Sequence, residues 1–415
     1  MSDRVAGDVS FRESFAQIVA TLTRILGPRH VALAEEAAQD ALVKALQTWP
    51  HEGTPVNPSA WLIQVAKHRA IDRIRREQRF EGDAAPPDVA VVPVLDATLR
   101  GEPAEVGDDE LAMMFLACHP RLAREARVAL TLKVVCGFSV PEIARALLSR
   151  EEAIAQRLVR AKRQLRDDDV RFALEPAEYA ERIDSVLDVL YLLFNEGYAA
   201  HAGEDLIRHE LCVEAIRLAR LLASHPSLAT PTVHALLALM LLQAARFAAR
   251  IADADLHRLA EQDRSQWDPL LIAEGLTHLD RAAEGVRLST YHLEAGIAAC
   301  HAVAARYEDT DWRRIVEYYD DLLRLKPTPV VALNRAIAIS RLEGPTAGTA
   351  ALDAIVDDPA LNRYYLLHAT LGQFALEAGD RDRAAECFGH ALTCECSDPE
   401  RRFLERQLAA SKRPA

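Results

Sequence analysis

Apolar positions recur at helical spacing along almost the whole chain, and the period-two alternation of strands is weak. The first apolar stripe covers residues 11–26 and stops at Gly27-Pro28, a pair that ends helices. A second stripe covers residues 30–49. A third begins after Asn57-Pro58, where a capping side chain is followed by proline at the first helical position. The pattern predicts an all-α protein that opens with three amphipathic helices.

The third predicted helix has two distinct faces. Its apolar face carries Ile63, Ala66, Ala70 and Ile74. Its basic face carries Lys67, Arg69, Arg73 and Arg76. Taken alone, a basic face of this kind is as typical of a solvated surface as of a nucleic-acid interface. Trp61 stands at the apolar start of the helix, which favours a core role over base stacking.

Residues 139–166 contain the most informative local pattern. Ser139 to Glu142 forms a capping box that opens a short helix, and Ser149 to Glu152 predicts a second capping box that opens a longer helix. The apolar positions of the longer helix are Ile154, Leu158, Ala161 and Leu165. Its opposite face exposes Gln156, Arg157, Arg160 and Arg163. Two capped helices joined by a short turn, the second of them basic, are typical of a helix-turn-helix that reads DNA, although a generic three-helix fragment fits as well.

The C-terminal half continues as amphipathic helix and then becomes repetitive. Residues 233–245 are almost entirely apolar but too few to span a bilayer, so they predict a buried helix. The motif around Ile315 and Tyr319 recurs at Ala384 and Phe388, two repeat lengths away at about 34 residues per unit. This spacing predicts tetratricopeptide-like repeats with a degenerate middle unit.

Charge is distributed unevenly along the 415 residues. The net charge of −13 argues against a nucleic-acid binder when it is taken as a whole. Residues 121–166, however, carry 11 basic side chains against 4 acidic ones, whereas residues 81–110 carry 1 against 9. Such asymmetry suggests a DNA-facing segment, an acidic linker and an acidic extension.

Several functional classes lack their sequence signatures. No phosphate-binding loop, dinucleotide fingerprint, zinc-protease motif or nucleophile elbow is present, so we expect neither an enzyme nor a cofactor. The seven cysteines are dispersed, and Cys394-Glu-Cys396 lacks the spacing of a zinc site, so no metal is expected. Without a secretion signal or a long apolar segment, the chain is expected to be cytoplasmic and free of the membrane.

Two stretches of the chain resemble the extracytoplasmic-function sigma factors of bacterial RNA polymerase, which belong to the sigma-70 family. Residues 34–76 resemble sigma region 2, and residues 140–166 resemble sigma region 4. Strings such as Phe194–Tyr198 and Trp267–Gly275 resemble a subgroup that carries a C-terminal tetratricopeptide-like extension. The resemblance implies a region 2 helical bundle, a region 4 helix-turn-helix and an α-helical tetratricopeptide-like solenoid.

The resemblance also implies domain bounds and binding residues. The expected domains are region 2 at 8–80, an acidic linker at 81–107, region 4 at 108–170, a helical extension at 175–300 and repeats at 301–410. The residues expected to bind the polymerase β′ clamp are Glu36, Gln39 and Asp40. Those expected at the melted −10 element are Trp61, Lys67, Arg69, Arg73 and Arg76. Those expected at the duplex −35 element are Ser149, Arg150, Gln156, Arg157, Arg160 and Arg163.

The implied partners are core RNA polymerase, through its β′ clamp and β flap, and promoter DNA, both duplex and melted. The repeats are expected to regulate activity and to offer a surface to a protein or peptide partner. One alternative is a stand-alone helix-turn-helix regulator with a repeat sensor, which leaves the pattern at residues 34–76 unexplained. Another is a repeat scaffold whose N-terminal helices only bind protein.

Overall fold

A computed structural model describes residues 2–80, 106–147, 149–168, 170–172, 176–198, 209–252 and 255–412. The chain divides into two compact units, Met1–Leu192 and Leu193–Ala415. Helices form nearly all of the regular structure in these ranges, which confirms the all-α prediction. The described strands are β1 (Ile251–Ala252) and β2 (Asp255–Leu256), which pair antiparallel.

The first unit contains the predicted region 2 and region 4 segments. Its helices are α1 (Ser2–Leu26), α2 (Val31–Glu52), α3 (Pro58–Phe80), α4 (Val106–Ala117), α5 (Arg124–Val134), α6 (Val140–Ala146), α7 (Glu151–Asp167) and the first part of α8 (Pro176–Tyr198). A 3-10 turn at Pro28–His30 joins α1 to α2. The predicted acidic linker, residues 81–107, lies outside the described residues except for its last two, which begin α4.

Helices α1, α2 and α3 pack as a small bundle. The side chains that α1 buries include Ile18, Val19 and Leu22, while α2 and α3 bury mainly alanines, which let helix backbones approach closely. The predicted loop at 50–57 is wrong at its start, because α2 continues through Pro50 to Glu52. Proline is tolerated in this last turn because it removes one hydrogen bond only. Gly53, at φ 85°, then closes the helix by donating its N–H to the Trp49 carbonyl at 3.0 Å.

Helices α4 to α7 form the second half of this unit. Residues 111–117 of helix α4 are buried on all sides, with Met113, Met114 and Phe115 almost fully enclosed. Gly137 lies in the turn between α5 and α6 with φ at 71°, a conformation that favours glycine. A Cβ at this position would lie 2.6 Å from the backbone oxygen of Arg12, so glycine alone fits between this turn and α1.

The first part of α8 packs on region 4. Ser185 donates its hydroxyl to the Cys118 carbonyl at 2.6 Å, and Tyr179 meets the Phe115 ring edge-on at a centroid distance of 4.7 Å. Arg124 binds Asp188 through two hydrogen bonds of 3.0 and 2.7 Å. The compact unit therefore extends beyond the helix-turn-helix to include this segment.

The second unit is built around a buried helix. Its helices are the end of α8, α9 (His209–Ser224), α10 (Pro231–Ala244), α11 (Phe247–Arg250), α12 (Pro269–Ala282), α13 (Thr290–Val303), α14 (Trp312–Leu325), α15 (Pro329–Glu343), α16 (Pro345–Leu352), α17 (Tyr365–Glu377), α18 (Arg381–Ala391) and α19 (Asp398–Ser411). Helices α9, α12 and α13 enclose α10. This confirms the buried helix predicted at residues 233–245.

Successive helices from α13 onward pack against one another through small residues. A Cβ on Gly296 of α13 would lie 2.7 Å from the Tyr318 ring of α14, and one on Gly372 of α17 would lie 3.0 Å from the Phe388 ring of α18. Glycine at these positions lets an aromatic ring seat directly on the neighbouring backbone. The helix pairs fall where the repeats were predicted, and the tetratricopeptide-like solenoid itself stays a prediction. In the parts of the chain described above, no helix is long and apolar enough to cross a membrane.

Candidate nucleic-acid interfaces

The predicted helix-turn-helix begins with the capping box at Ser139. The Glu142 carboxylate accepts the Ser139 backbone N–H and hydroxyl, each at 2.7 Å, and the Glu142 N–H reaches the Ser139 hydroxyl at 3.4 Å. Glu142 also forms an ion pair with Arg12 of α1. Burial acts to raise the pKa of Glu142, but the Ser139 hydrogen bonds and the Arg12 charge outweigh it and hold the pKa below its ordinary value. The capping box is therefore confirmed, and its carboxylate is ionised.

The prediction of a second capping box at Ser149 is wrong. Helix α7 begins at Glu151 with Arg150 at the N-cap, and no side chain caps it. The Ser149 N–H instead donates to the Ala144 carbonyl at 2.8 Å, which holds Ser149 in the turn after α6. Glu151 and Glu152 occupy the first turn of α7, where the positive end of the helix dipole favours carboxylates.

Helix α7 separates a buried stripe from a basic exposed face. Its buried side chains are the four predicted ones, Ile154, Leu158, Ala161 and Leu165. Of the residues predicted at the −35 element, the exposed ones are Arg150, Gln156, Arg160 and Arg163, and the half-buried ones are Ser149 and Arg157. Because Glu151 and Glu152 at the start of α7 are also exposed, this face has the form of a major-groove reading helix.

Val159 is an exposed residue of α7 that the sequence reasoning did not single out. It is 64% exposed. An exposed aliphatic group on a reading helix can contact the methyl group of thymine. The signal was available in the sequence, because Val159 falls outside the apolar stripe of its own helix.

Helix α3 presents the residues predicted at the −10 element. Its start is capped as predicted, since the Asn57 Oδ1 accepts the Ala60 N–H at 3.0 Å. The exposed members of the predicted set are Arg69, Arg73 and Arg76, and the half-buried members are Trp61 and Lys67. The Trp61 ring packs on Trp49 of α2 at a centroid distance of 5.6 Å, so part of it is committed to the bundle.

The surface of α2 predicted to bind polymerase is exposed. Glu36, Gln39 and Asp40 all face solvent. The Glu36 carboxylate lies 3.3 Å from the Arg73 guanidinium of α3, so the predicted polymerase and DNA surfaces adjoin. Both side chains are 55% exposed, and an ion pair this open contributes little to stability.

Charged side chains join region 2 to region 4 within the first unit. The Lys162 ammonium of α7 lies 2.6 Å from the Glu35 carboxylate of α2, with side chains only 19% and 8% exposed. Arg24 of α1 lies 2.8 Å from Asp109 of α4. Lys133 lies over the Phe15 ring at 5.0 Å; burial lowers its pKa, while Glu35 opposes the shift. Sequence reasoning missed these pairs, because nothing in local spacing links residues so far apart.

The described residues contain no group of three or more histidine, cysteine or acidic side chains placed to hold a metal ion. Cys394 and Cys396 lie in the second unit, and the structure records them as free cysteines.

Three segments of the chain match known protein families. Residues 11–80 match the family Sigma-70 region 2, and residues 112–165 match Sigma-70, region 4. Residues 182–283 match a family of unknown function, DUF6596. No solved structure matches the chain.

Three relatives match the chain, and two of them are named as sigma factors. The chain is 37% identical over 415 residues to an uncharacterized protein of Rhizobium meliloti (strain 1021), with 98% of this chain and 96% of that protein covered. It is 28% identical over 168 residues to the ECF RNA polymerase sigma factor SigK of Mycobacterium ulcerans (strain Agy99), with 38% and 86% covered. It is 25% identical over 174 residues to the ECF RNA polymerase sigma factor SigE of Mycolicibacterium smegmatis (strain ATCC 700084 / mc(2)155), with 42% and 65% covered.

Exposed basic faces on two helices, α3 and α7, are typical of a DNA-binding protein. With the matches above, the chain belongs to the extracytoplasmic-function group of the sigma-70 family, and it carries a C-terminal extension. Its function is promoter-specific initiation of transcription, with core RNA polymerase and promoter DNA as partners. The match at residues 11–80 accounts for the pattern that a stand-alone regulator leaves unexplained.

Proposed function

We propose that each exposed face of the first unit binds a different partner during promoter recognition. In this proposal α7 reads the duplex −35 element, α3 contacts the melted −10 element, and the exposed acidic face of α2 binds the β′ clamp. The observation that carries it is the basic face of α7, which stands opposite the buried stripe that fixes the helix in its fold. Exposed arginines neutralise phosphates and read guanine edges, which is the chemistry this assignment requires.

The proposal includes a change in how region 2 and region 4 pack. The −10 and −35 elements are about 25 base pairs apart, or about 85 Å along a duplex at 3.4 Å per base pair. Helix α2, at about 1.5 Å per residue, is only about 33 Å long, and Lys162 of α7 lies directly against it. While region 4 is packed on region 2 in this way, the two regions do not reach both promoter elements at once. In this proposal region 4 therefore leaves region 2 when the holoenzyme engages a promoter.

The chain itself carries no chemical step in this proposal. Core polymerase performs the synthesis, while this protein lowers the free-energy cost of locating and melting the promoter. The extension is proposed to regulate that activity, because it forms a separate compact unit with surfaces that promoter recognition does not use. The β flap is the proposed second contact on polymerase, through region 4.

Site-specific photocrosslinking in the holoenzyme tests the division of labour. A photoreactive phenylalanine analogue in place of Arg160 is expected to crosslink to duplex DNA near −35. The same analogue in place of Arg69 is expected to crosslink to the nontemplate strand near −10. As a matched control, the analogue in place of exposed Arg363 in the extension is expected to give no crosslink at either element.

The assignment fails if position 160 crosslinks to the melted strand or if position 69 crosslinks to upstream duplex. Crosslinks that map equally to both elements from both positions would also reject it. Promoter-dependent crosslinks confined to the expected elements would support it.

A further inference from the structure

The extension contains a cavity of about 310 Å³ that promoter recognition does not use. Its walls come from α14, α15 and α17, and the segment after β2 contributes a further edge. Ligand pockets in proteins begin at about 300 Å³, so the volume suits a small molecule.

Aromatic side chains form one wall of the cavity. Trp312, Ile315 and Tyr319 follow one another at spacings of three and four on α14, so they share a helix face. Tyr307 and His301 each meet the Trp312 ring edge-on, at centroid distances of 5.4 and 5.3 Å. This wall offers flat apolar surfaces held rigidly in place, which favours a planar ring in the ligand.

Polar side chains form the facing wall and are linked to one another. Arg258 donates to the Gln373 Oε1 at 2.8 Å, and Gln373 donates in turn to the Glu377 Oε1 at 2.8 Å. Arg341 of α15 donates to the same Glu377 oxygen at 2.8 Å. Asn334, one turn before Ile337 and Ala338 on α15, adds an amide to this wall.

Hydrogen-bond donors exceed acceptors along this wall. A guanidinium carries five N–H donors in a fork that matches a carboxylate. Among the residues that the structure describes, Arg341 uses one of its donors, on Glu377, while Arg258 is already shared between Glu261 and Gln373. Arg341 therefore has more donors left for a ligand than Arg258, which already donates from all three of its guanidinium nitrogens.

The histidine and the tyrosine that meet the Trp312 ring are neutral at physiological pH. Burial, with Arg246 and Arg264 nearby, lowers the pKa of His301 to about 3. Burial raises the pKa of Tyr307 above its ordinary value. Glu377 is thus the carboxylate of the wall that competes with an incoming anion for Arg341.

We propose that this cavity binds a small aromatic carboxylate, with its ring against Trp312 and Tyr319 and its carboxylate on Arg341. The aromatic wall supplies apolar contact, and the Arg341 fork supplies two parallel charge-assisted hydrogen bonds. The site gives the extension a chemical specificity of its own, whatever the role of the first unit in transcription.

Binding to the full-length protein, without polymerase, tests the proposal. The probes are naphthalene-2-carboxylate and indole-3-carboxylate, each compared with its neutral carboxamide by calorimetry and ligand-observed NMR. The carboxylates are expected to bind about tenfold more tightly than the carboxamides, because the amides lose the charge-assisted pair. Failure of both carboxylates to bind, or equal binding of acid and amide, would overturn the proposal.

Variants of the polar wall sharpen the test. Arg341→Gln is expected to weaken carboxylate binding about tenfold, whereas Glu377→Gln is expected to strengthen it several-fold by freeing Arg341. A gain in affinity cannot come from damage to the fold. The matched control is Arg335→Gln, which removes a charge from the same helix at a side chain that pairs with Asp320 outside the cavity wall.

A comparison with peptides distinguishes a small-molecule ligand from the C-terminus of a protein. The tripeptide Gly-Gly-Phe is tested with a free and with an amidated C-terminus. Weaker binding of the free peptide than of naphthalene-2-carboxylate is expected. Tighter, Arg341-dependent binding of the free peptide would overturn the assignment to a small molecule, and an unchanged affinity in both Arg341→Gln and Glu377→Gln would overturn the site itself.

Discussion

Replacing Arg157 and Arg160 together with glutamate is expected to lower the promoter affinity of the holoenzyme about 100-fold or more. Each reversal removes an attraction to the DNA and adds a repulsion, and single arginine contacts contribute about 1–3 kcal/mol. Arg160 is exposed and Arg157 half-buried on α7, and neither belongs to the buried stripe, so the fold should tolerate both changes. Filter binding or footprinting across a salt series measures the loss and the expected fall in salt dependence.

A charge-matched control separates a local effect from a global one. Arg287 and Arg363 are exposed in the extension, and their double change to glutamate alters the net charge by the same amount. This control is expected to keep the wild-type affinity within about twofold. Equal losses in the two double variants would mean that α7 has no special role in DNA binding.

Reversing either charge of the Lys162–Glu35 pair is expected to loosen the packing of region 4 on region 2. The pair is mostly buried, and disrupting a buried ion pair costs about 3 kcal/mol; here the reversal sets two like charges against each other. Lys162→Glu and Glu35→Lys should therefore each raise hydrogen exchange in α2 and α7. The swapped double variant should recover most of the protection, since it restores opposite charges.

The bidentate pair of Arg220 with Glu274 provides the control for this experiment. Its N–O distance of 2.7 Å is close to that of the buried pair, but its side chains are 45% and 35% exposed. Reversal there is expected to change protection by less than about 1 kcal/mol. The swapped double variant is compared with the two single variants. If its loss of hydrogen-exchange protection equals the sum of their losses, the charges of Lys162 and Glu35 do not interact.

Local patterns predicted the helices because they depend on nearby residues. The apolar spacing of α7 identified all four of its buried side chains, and the serine-to-glutamate spacing identified the cap at Ser139. The same spacing failed at Ser149, because its backbone N–H bonds to Ala144 and leaves it outside the helix. The spacing of a capping motif shows that a side chain could cap a helix, but the conformation of the preceding turn determines whether the cap forms.

Contacts between distant segments could not be predicted in this way. In the sequence, Lys162 is indistinguishable from the other basic residues of α7. In the structure it pairs with Glu35 and is not part of the exposed basic face. The cavity of the extension shows the same limit. Ile315 and Tyr319 stood out as repeat-motif positions, but Arg258 and Gln373 reach the cavity from segments for which no motif was identified.

Runoff transcription with purified core polymerase tests the central assignment most directly. Genomic fragments of the source bacterium serve as templates, with the wild-type protein, the α7 double variant and the extension double variant compared side by side. We predict discrete transcripts that need both core polymerase and the wild-type protein, that persist with Arg287→Glu/Arg363→Glu and that vanish with Arg157→Glu/Arg160→Glu. The assignment would be contradicted if the wild-type protein gave no transcripts, or if the α7 double variant gave the same transcripts as the wild-type protein.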